Sequence, residues 1–143
     1  MKLLCYQARS FSWKAHSQTI PEAEPSSEGE VHEAAVIWLH IEESDEQDRN
    51  RIFKHTIKQI KWIANKRNLR NIVLHSFAHL GGKTASPLFA KQLLNDLSSR
   101  LRETQYQVYS TPFGWFCSWN LDVYGDSMAK VFQHIEAKNN HEH

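Results

Sequence analysis

Between Leu74 and Gly82 the chain reads Leu-His-Ser-Phe-Ala-His-Leu-Gly-Gly, leaving the end of an apolar strand and stopping just short of Ser86-Pro87. His79 is the titratable side chain between Phe77 and Gly82, and an imidazole can position a substrate or exchange a proton near neutral pH. Gly81 and Gly82 let backbone approach a ligand closely. Ser86 followed by Pro87 has the form of an N-cap and a first helical position. The loop therefore faces a helix start, whose free N–H groups and partial positive charge favour an anion. In an open α/β sheet, the loop leaving the carboxyl end of a parallel strand is where ligands bind. Lys83, beside the glycines, is the candidate for a phosphate contact, a solvated loop lysine being the plainer alternative.

A second stretch, Thr111-Pro112-Phe113-Gly114-Trp115-Phe116-Cys117, follows downstream. Cys117 could act as a nucleophile with His79 only in an electropositive, partly exposed setting that favours thiolate. Its place between Trp115 and Trp119 on an apolar face favours an inert buried thiol. Nine histidines raise the question of a metal, but none has a zinc-site spacing, and His75 and His79 straddle a strand–loop junction rather than a helix. No metal and no cofactor is expected.

The elements that position these residues alternate. Lys2–Tyr6 reads as a first strand and Phe11–Trp13 as a second, weakly paired one. Ile20–Glu33, with prolines, serines and glutamates, reads as a solvated connection. Ala34–Ile41 is nearly continuous in apolar residues, as in a strand covered on both faces. Ser44 and Gln47 form a predicted capping box for a helix running to about Arg67, with Phe53, Ile57, Ile60 and Ala64 as its buried stripe. Lys54, Lys58, Lys61, Lys66 and Arg67 lie largely off that stripe, a solvated face being the plainer reading and a contact to a nucleic-acid backbone the sharper one. Asn71–His75 is the next strand, and the order strand–helix–strand implies a parallel crossover. Phe89, Leu93, Leu97 and Leu101 mark the core face of the helix after Pro87. Tyr106–Tyr109 and Trp115–Tyr124 read as strands. A last helix is predicted from Asp126 or Ser127, with Met128, Val131, Phe132 and Ile135 inside.

The whole is a single α/β domain over residues 1–137 with a polar tail, 138–143. The 143 residues, 41% hydrophobic and 23% charged, fit one globular domain with a core. A net charge of +1 leaves no global footprint for nucleic acid, so any RNA contact must be a local patch. Cys5 and Cys117, far apart, suggest reduced thiols and a cytoplasmic protein. Met1–Tyr6 is too short for a signal peptide, and no apolar run approaches a membrane span.

Phe77-Ala78-His79-Leu80, the following Pro87, the later Pro112-Phe113-Gly114 with its two aromatics, and the strand ending Leu39-His40-Ile41-Glu42-Glu43 resemble the editing domain of archaeal threonyl-tRNA synthetases. The register runs without gaps from near the start to the last predicted helix, so the likeness covers almost the whole chain. It implies a D-aminoacyl-tRNA deacylase-like mixed β-sheet packed with about three α-helices. It implies, too, hydrolysis of the ester joining an amino acid to the 3′ end of a tRNA, with serine on threonine tRNA as the mischarged species. Carried over, the substrate contacts fall on Ile41, Ser76, Phe77, Ala78, Phe113 and Phe116, with Lys83 added from its place in the loop. His79 matches the family histidine.

Three positions depart from the family. Cys117 stands where it has a lysine important for hydrolysis, Phe116 where it has a tyrosine, and Lys130 where it has an acidic residue. A thiol supplies no permanent charge to an oxyanion, so Lys130, expected on the last helix, could restore it. Alternatively, Lys130 is a solvated residue of a domain with lost or changed activity. The resemblance thus implies a trans-acting proofreading deacylase. Its alternatives are an inactive homologue that binds a tRNA 3′ end or a synthetase, and a hydrolase with a shifted ester substrate. The expected partners are a charged tRNA 3′ end, a threonyl-tRNA synthetase lacking its own editing domain, and a second copy in a homodimer.

Overall fold

The computed structural model describes residues 1–78 and 80–138. Its elements are β1 (Lys2–Gln18), β2 (Glu28–His40), α1 (Arg49–Asn65), β3 (Asn71–Ser76), α2 (Pro87–Glu103), β4 (Gln107–Ser110), β5 (Trp115–Val123) and β6 (Lys130–His134). The strands form one mixed sheet in the order β4-β3-β2-β1-β5, with β6 also paired to β1. β2, β3 and β4 run parallel, as their helical crossovers require, whereas β1 runs antiparallel to β2, β5 and β6.

Both helices pack on one face of the sheet. Their apolar stripes, Ile52, Ile60 and Ile63 from α1 and Leu93, Leu97 and Leu101 from α2, join Leu3, Ile37, Leu39, Ile72 and Leu74 in the main core. The other face carries a smaller cluster of Phe11, Trp13, Val36, Trp38 and Val73, to which neither helix contributes. Neither helix is long and apolar enough to cross a membrane.

The expected mixed-sheet α/β domain is the architecture observed, with two α-helices among the described residues instead of about three. The predicted last helix is a 3-10 turn, Ser127–Ala129, followed by β6. Met128, Val131 and Ile135 fit a helical period over too few residues to decide it. The free edge of β1 decides instead, because its N–H and C=O groups need partners. β6 supplies them in the register Lys2↔His134 to Tyr6↔Lys130.

The expected pair of strands near the start is one 17-residue strand. Its outer edge is served first by β6 and then, from Ala8 onward, by β5, with a register shift between Ala8 and Ser10. β2 likewise begins within the predicted connection, at Glu28, because its glutamates face solvent. There a Cβ built on Gly29 would stand 2.6 Å from the Trp13 indole, so the ring packs where only a glycine leaves room.

The capping box is also shifted. Glu42 and Asp45 cap each other reciprocally, with the Glu42 N–H donating to Asp45 Oδ2 at 2.9 Å, and they open a 3-10 turn, Glu43–Gln47, ahead of α1. α2 starts as predicted, with Ser86 Oγ accepting from the Phe89 N–H and Pro87 in the first turn. Of the polar tail, the Lys138 N–H donates to Asp48 Oδ2 at 2.8 Å, and residues 139–143 lie outside the described part.

Candidate functional site

The carboxyl ends of β2 and β3 open into a cavity of about 240 Å³. Leu39 and Ile41 contribute from the end of β2, and His75 to Ala78 from the end of β3. Thr84, Ala85, Pro87 and Ala90 close it from the start of α2, and Pro112–Gly114 with β5 as far as Trp119 form the opposite wall. Backbone hydrogen bonds fix these segments to one another. The Phe77 N–H donates to Leu39 O at 2.9 Å, Ala85 N–H to Ile41 O at 3.0 Å, and Thr111 N–H to Leu74 O at 3.1 Å.

The β5 wall is held from the far side. Gly114 O accepts from both the N–H and the hydroxyl of Thr19, each at 2.8 Å. Gly114 has φ +85°, and a Cβ there would lie 2.8 Å from the Ala23 Cα and 2.9 Å from Ile20 Cγ1. The glycine in Pro-Phe-Gly is therefore required twice, by its left-handed backbone and by the chain packed against it.

Seven of the sequence-predicted residues line this one cavity: Ile41, Ser76, Phe77, Ala78, Phe113, Phe116 and Cys117. His79 lies outside the described residues. Lys83 and Lys130 are exposed and not among the lining residues. Lys130 begins β6, where its Nζ is 3.5 Å from Gly125 O. The anion expected at the start of α2 is supplied by the protein, since Glu46 Oε2 accepts from the Ser86 N–H at 3.3 Å.

No Asp, Glu, Lys or Arg lines the cavity among the described residues. Its titratable groups among the described residues are Cys117 and His75. Burial pushes the half-buried Cys117 thiol above its ordinary value, so it stays protonated and poorly nucleophilic near neutral pH. His75 is only 5% exposed. Its Nδ1 is 2.8 Å from Thr111 Oγ1, its ring meets Trp38 edge-on at 5.6 Å, and burial brings its pKa down to about 4. It is a neutral hydrogen-bonding group in the wall.

Sequence reasoning placed His75 in a strand and did not count it in the site. The available signal was a polar residue at the carboxyl end of an otherwise apolar strand. Thr84 was also missed. Its hydroxyl is 3.0 Å from Nε2 of the fully buried His40, a contact between residues 44 positions apart. Among the described residues no group of three or more His, Cys, Asp or Glu converges in a way that could hold a metal ion.

Comparison with known proteins follows the same outline. Two relatives are the threonine–tRNA ligases of Staphylothermus marinus, 31% identical over 140 residues, and Methanopyrus kandleri, 32% identical over 133. The matches cover 94% and 92% of this chain but only 22% and 21% of those proteins, so the chain spans about a fifth of their length. Among solved structures, the c-Myc DNA unwinding element binding protein superposes with a TM-score of 0.65 over 96% of this chain and 100% of that one. At 15% identity, that likeness concerns the fold alone. A family model described as the archaea-specific editing domain of threonyl-tRNA synthetase matches residues 1–135, and the chain belongs to that family.

Proposed function

We propose that the domain is a proofreading deacylase that hydrolyses the ester of a mischarged aminoacyl-tRNA, with seryl-tRNA for threonine as its first substrate, and that it acts in trans. Family membership ties the chain to tRNA proofreading in general. The finer reading is carried by one observation: Ile41, Ser76, Phe77, Ala78, Phe113, Phe116 and Cys117 converge on a single cavity at the strand ends.

In this reading the 3′-terminal aminoacyl-adenosine enters the cavity. Water attacks the ester carbonyl, negative charge collects on the carbonyl oxygen, and the C–O bond to the ribose breaks as the ribose oxygen takes a proton. The described wall carries no Asp, Glu, Lys or Arg, so the stabilisation it offers that oxyanion comes from dipoles, namely backbone N–H groups and hydroxyls. The free ribose hydroxyl can orient the water, being both donor and acceptor. His79 follows the substrate-holding Phe77-Ala78 segment and is assigned to positioning substrate or water. Lys130, outside the cavity wall, could serve the oxyanion only by reaching in from β6, and Lys130→Met, expected to abolish hydrolysis if it does, tests that compensation for the lysine missing at Cys117.

The test is a panel of charged tRNAs made by a separate synthetase, including cognate and D-aminoacyl forms, with the His79→Ala variant alongside. Hydrolysis of seryl-tRNA for threonine is expected, reduced about 10²-fold in the variant, the range for losing a positioned proton-transfer group. A folded protein that hydrolyses nothing in the panel refutes the deacylase. The uncharged wall, with Cys117 at the family lysine's position, favours one second reading: a module that binds a tRNA 3′ end or a synthetase without turnover. That module would bind a non-hydrolysable aminoacyl-adenosine analogue and leave its ester counterpart intact. A hydrolase of shifted specificity would instead cleave another ester.

We also propose that the helix-free face of the sheet pairs two copies. Exposed Trp119, Tyr109 and Phe132 stand there in register with or in contact with Trp13, Trp38, Val73 and Leu4, and apolar area of this kind on a single face marks an interaction site. Light scattering is expected to give twice the chain mass at micromolar concentration, and a monomer there would refute the pairing.

A further inference from the structure

The net charge of +1 conceals a strong local asymmetry. Eight of the 17 Lys and Arg residues fall between Arg49 and Arg70, a stretch with no Asp or Glu. Five glutamates crowd instead between Glu22 and Glu33, around the start of β2.

The basic residues of α1 and its exit divide by what they touch. Arg49 is paired with Asp96, Arg67 with Asp126, and Arg51 with Asp48, so these serve the fold. Lys54, Lys58 and Lys61 have no acidic partner among the described residues. At 100° per residue the three fall within an arc of about 60°, rising about 10 Å along the axis. That arc lies opposite the buried Ile52, Thr56, Ile60 and Ile63. At its margin the indole of Trp62, 40% exposed, stacks under the Lys66 ammonium at 5.6 Å. Of the acids just before α1, Asp45 is engaged by the Met1 ammonium, Asp48 by Arg51 and Glu46 by the Ser86 N–H, and exposed Glu43 stands eleven residues ahead of Lys54.

We infer that Lys54, Lys58 and Lys61 form a docking stripe for the phosphodiester backbone of a double-stranded RNA stem. A straight row of unpaired ammonium groups on a rigid helix matches a row of phosphates and exchanges their condensed counterions. An acidic peptide would offer no such regular line. The chain turns into α1 just beyond Ile41 at the carboxyl end of β2, the end where the cavity opens, and α1 leads away from it. A stem whose 3′ end sits in the cavity could therefore lie along the helix. The identity of the occupant as the tRNA acceptor stem rests on the proposed function.

The experiment uses the full chain and uncharged threonine tRNA, with an acceptor-stem hairpin and a single-stranded oligonucleotide of the 3′ end as further probes. The variant Lys54→Gln/Lys58→Gln/Lys61→Gln is compared with Lys14→Gln, a change in the β1–β2 hairpin. Thermal unfolding establishes that both are folded. The triple variant is expected to bind tRNA and hairpin at least about tenfold more weakly, with a log–log salt slope shallower by about 2–3. Lys14→Gln and the single strand should show little change. Wild-type affinity and slope in the triple variant, or no tRNA binding by the unmodified protein, overturns the inference. A hairpin bound no better than the single strand removes the stem as occupant. Because these measurements use uncharged RNA, failure to hydrolyse any ester would refute the deacylase while leaving the stripe standing.

Discussion

Asp45→Asn is expected to lower the unfolding free energy by about 1.5–3 kcal/mol, the range for weakening a buried hydrogen bond to a charged group. The Met1 ammonium is fully buried, and its three donors are all used: Asp45 Oδ1 and Glu42 Oε1 at 2.8 Å and Ile135 O at 3.0 Å. Asp45 is itself fully buried, so no water replaces its bond to the ammonium, which Glu42 is left to neutralise alone. The two carboxylates respond differently to the same cation. Burial dominates at Asp45 and raises its pKa although the ammonium opposes this. At Glu42 burial is outweighed by the hydrogen bonds and charges of the ammonium and His134, and its pKa falls. The cluster also ties the fold to the site, because Lys2 pairs with Glu42 and donates from Nζ to Gly81 O at 2.7 Å. Urea unfolding followed by tryptophan fluorescence should show a lower midpoint at an unchanged slope, and the melting temperature should fall by roughly 5–10 °C. Asp45→Ala should lose about 1 kcal/mol more, because the Glu42 N–H then loses its cap. A midpoint equal to that of the unmodified protein would refute the clamp.

That clamp shows where sequence reading ends. The strand expected over Asn71–His75, which ends one residue later at Ser76, the Ser86-Pro87 helix start and a cavity at the carboxyl ends of parallel strands were legible, because each follows from a local pattern. Periodicity, caps and the order strand–helix–strand all act over a few residues. The features that were misread depend on partners distant in the chain. β6 is a strand because β1 has an edge to fill, and Glu42 caps because Asp45 stands there while both hold the chain's first ammonium. His75 lies at the end of a run whose apolar pattern says only "strand". That it lines the cavity follows from Thr111 and Phe113 arriving from a distant loop. Lys130 was expected on a helix and is the first residue of an edge strand, again because β1 has an edge to fill.

Acidification should destabilise the domain over a window set by His75. Its imidazole titrates at about 4 in the folded protein, against an ordinary value of 6.5, because burial disfavours the cation. Between those two values the unfolded chain binds the proton and the native one does not, so stability falls as pH falls. The full contribution is present above about 6.5 and is lost by about 4, a span corresponding to about 3 kcal/mol. The burial-lowered pKa of His40 adds in the same direction. His75→Phe should be less stable at pH 7 by about 1 kcal/mol, since the Thr111 hydroxyl loses its partner. It should also flatten the curve of unfolding free energy against pH between 4 and 6.5. A variant with the same slope as the unmodified protein would show that His75 does not set the window. The same displacement constrains the chemistry. With His75 neutral throughout the physiological range, an inflection near 6.5 in a pH–rate profile belongs to another group.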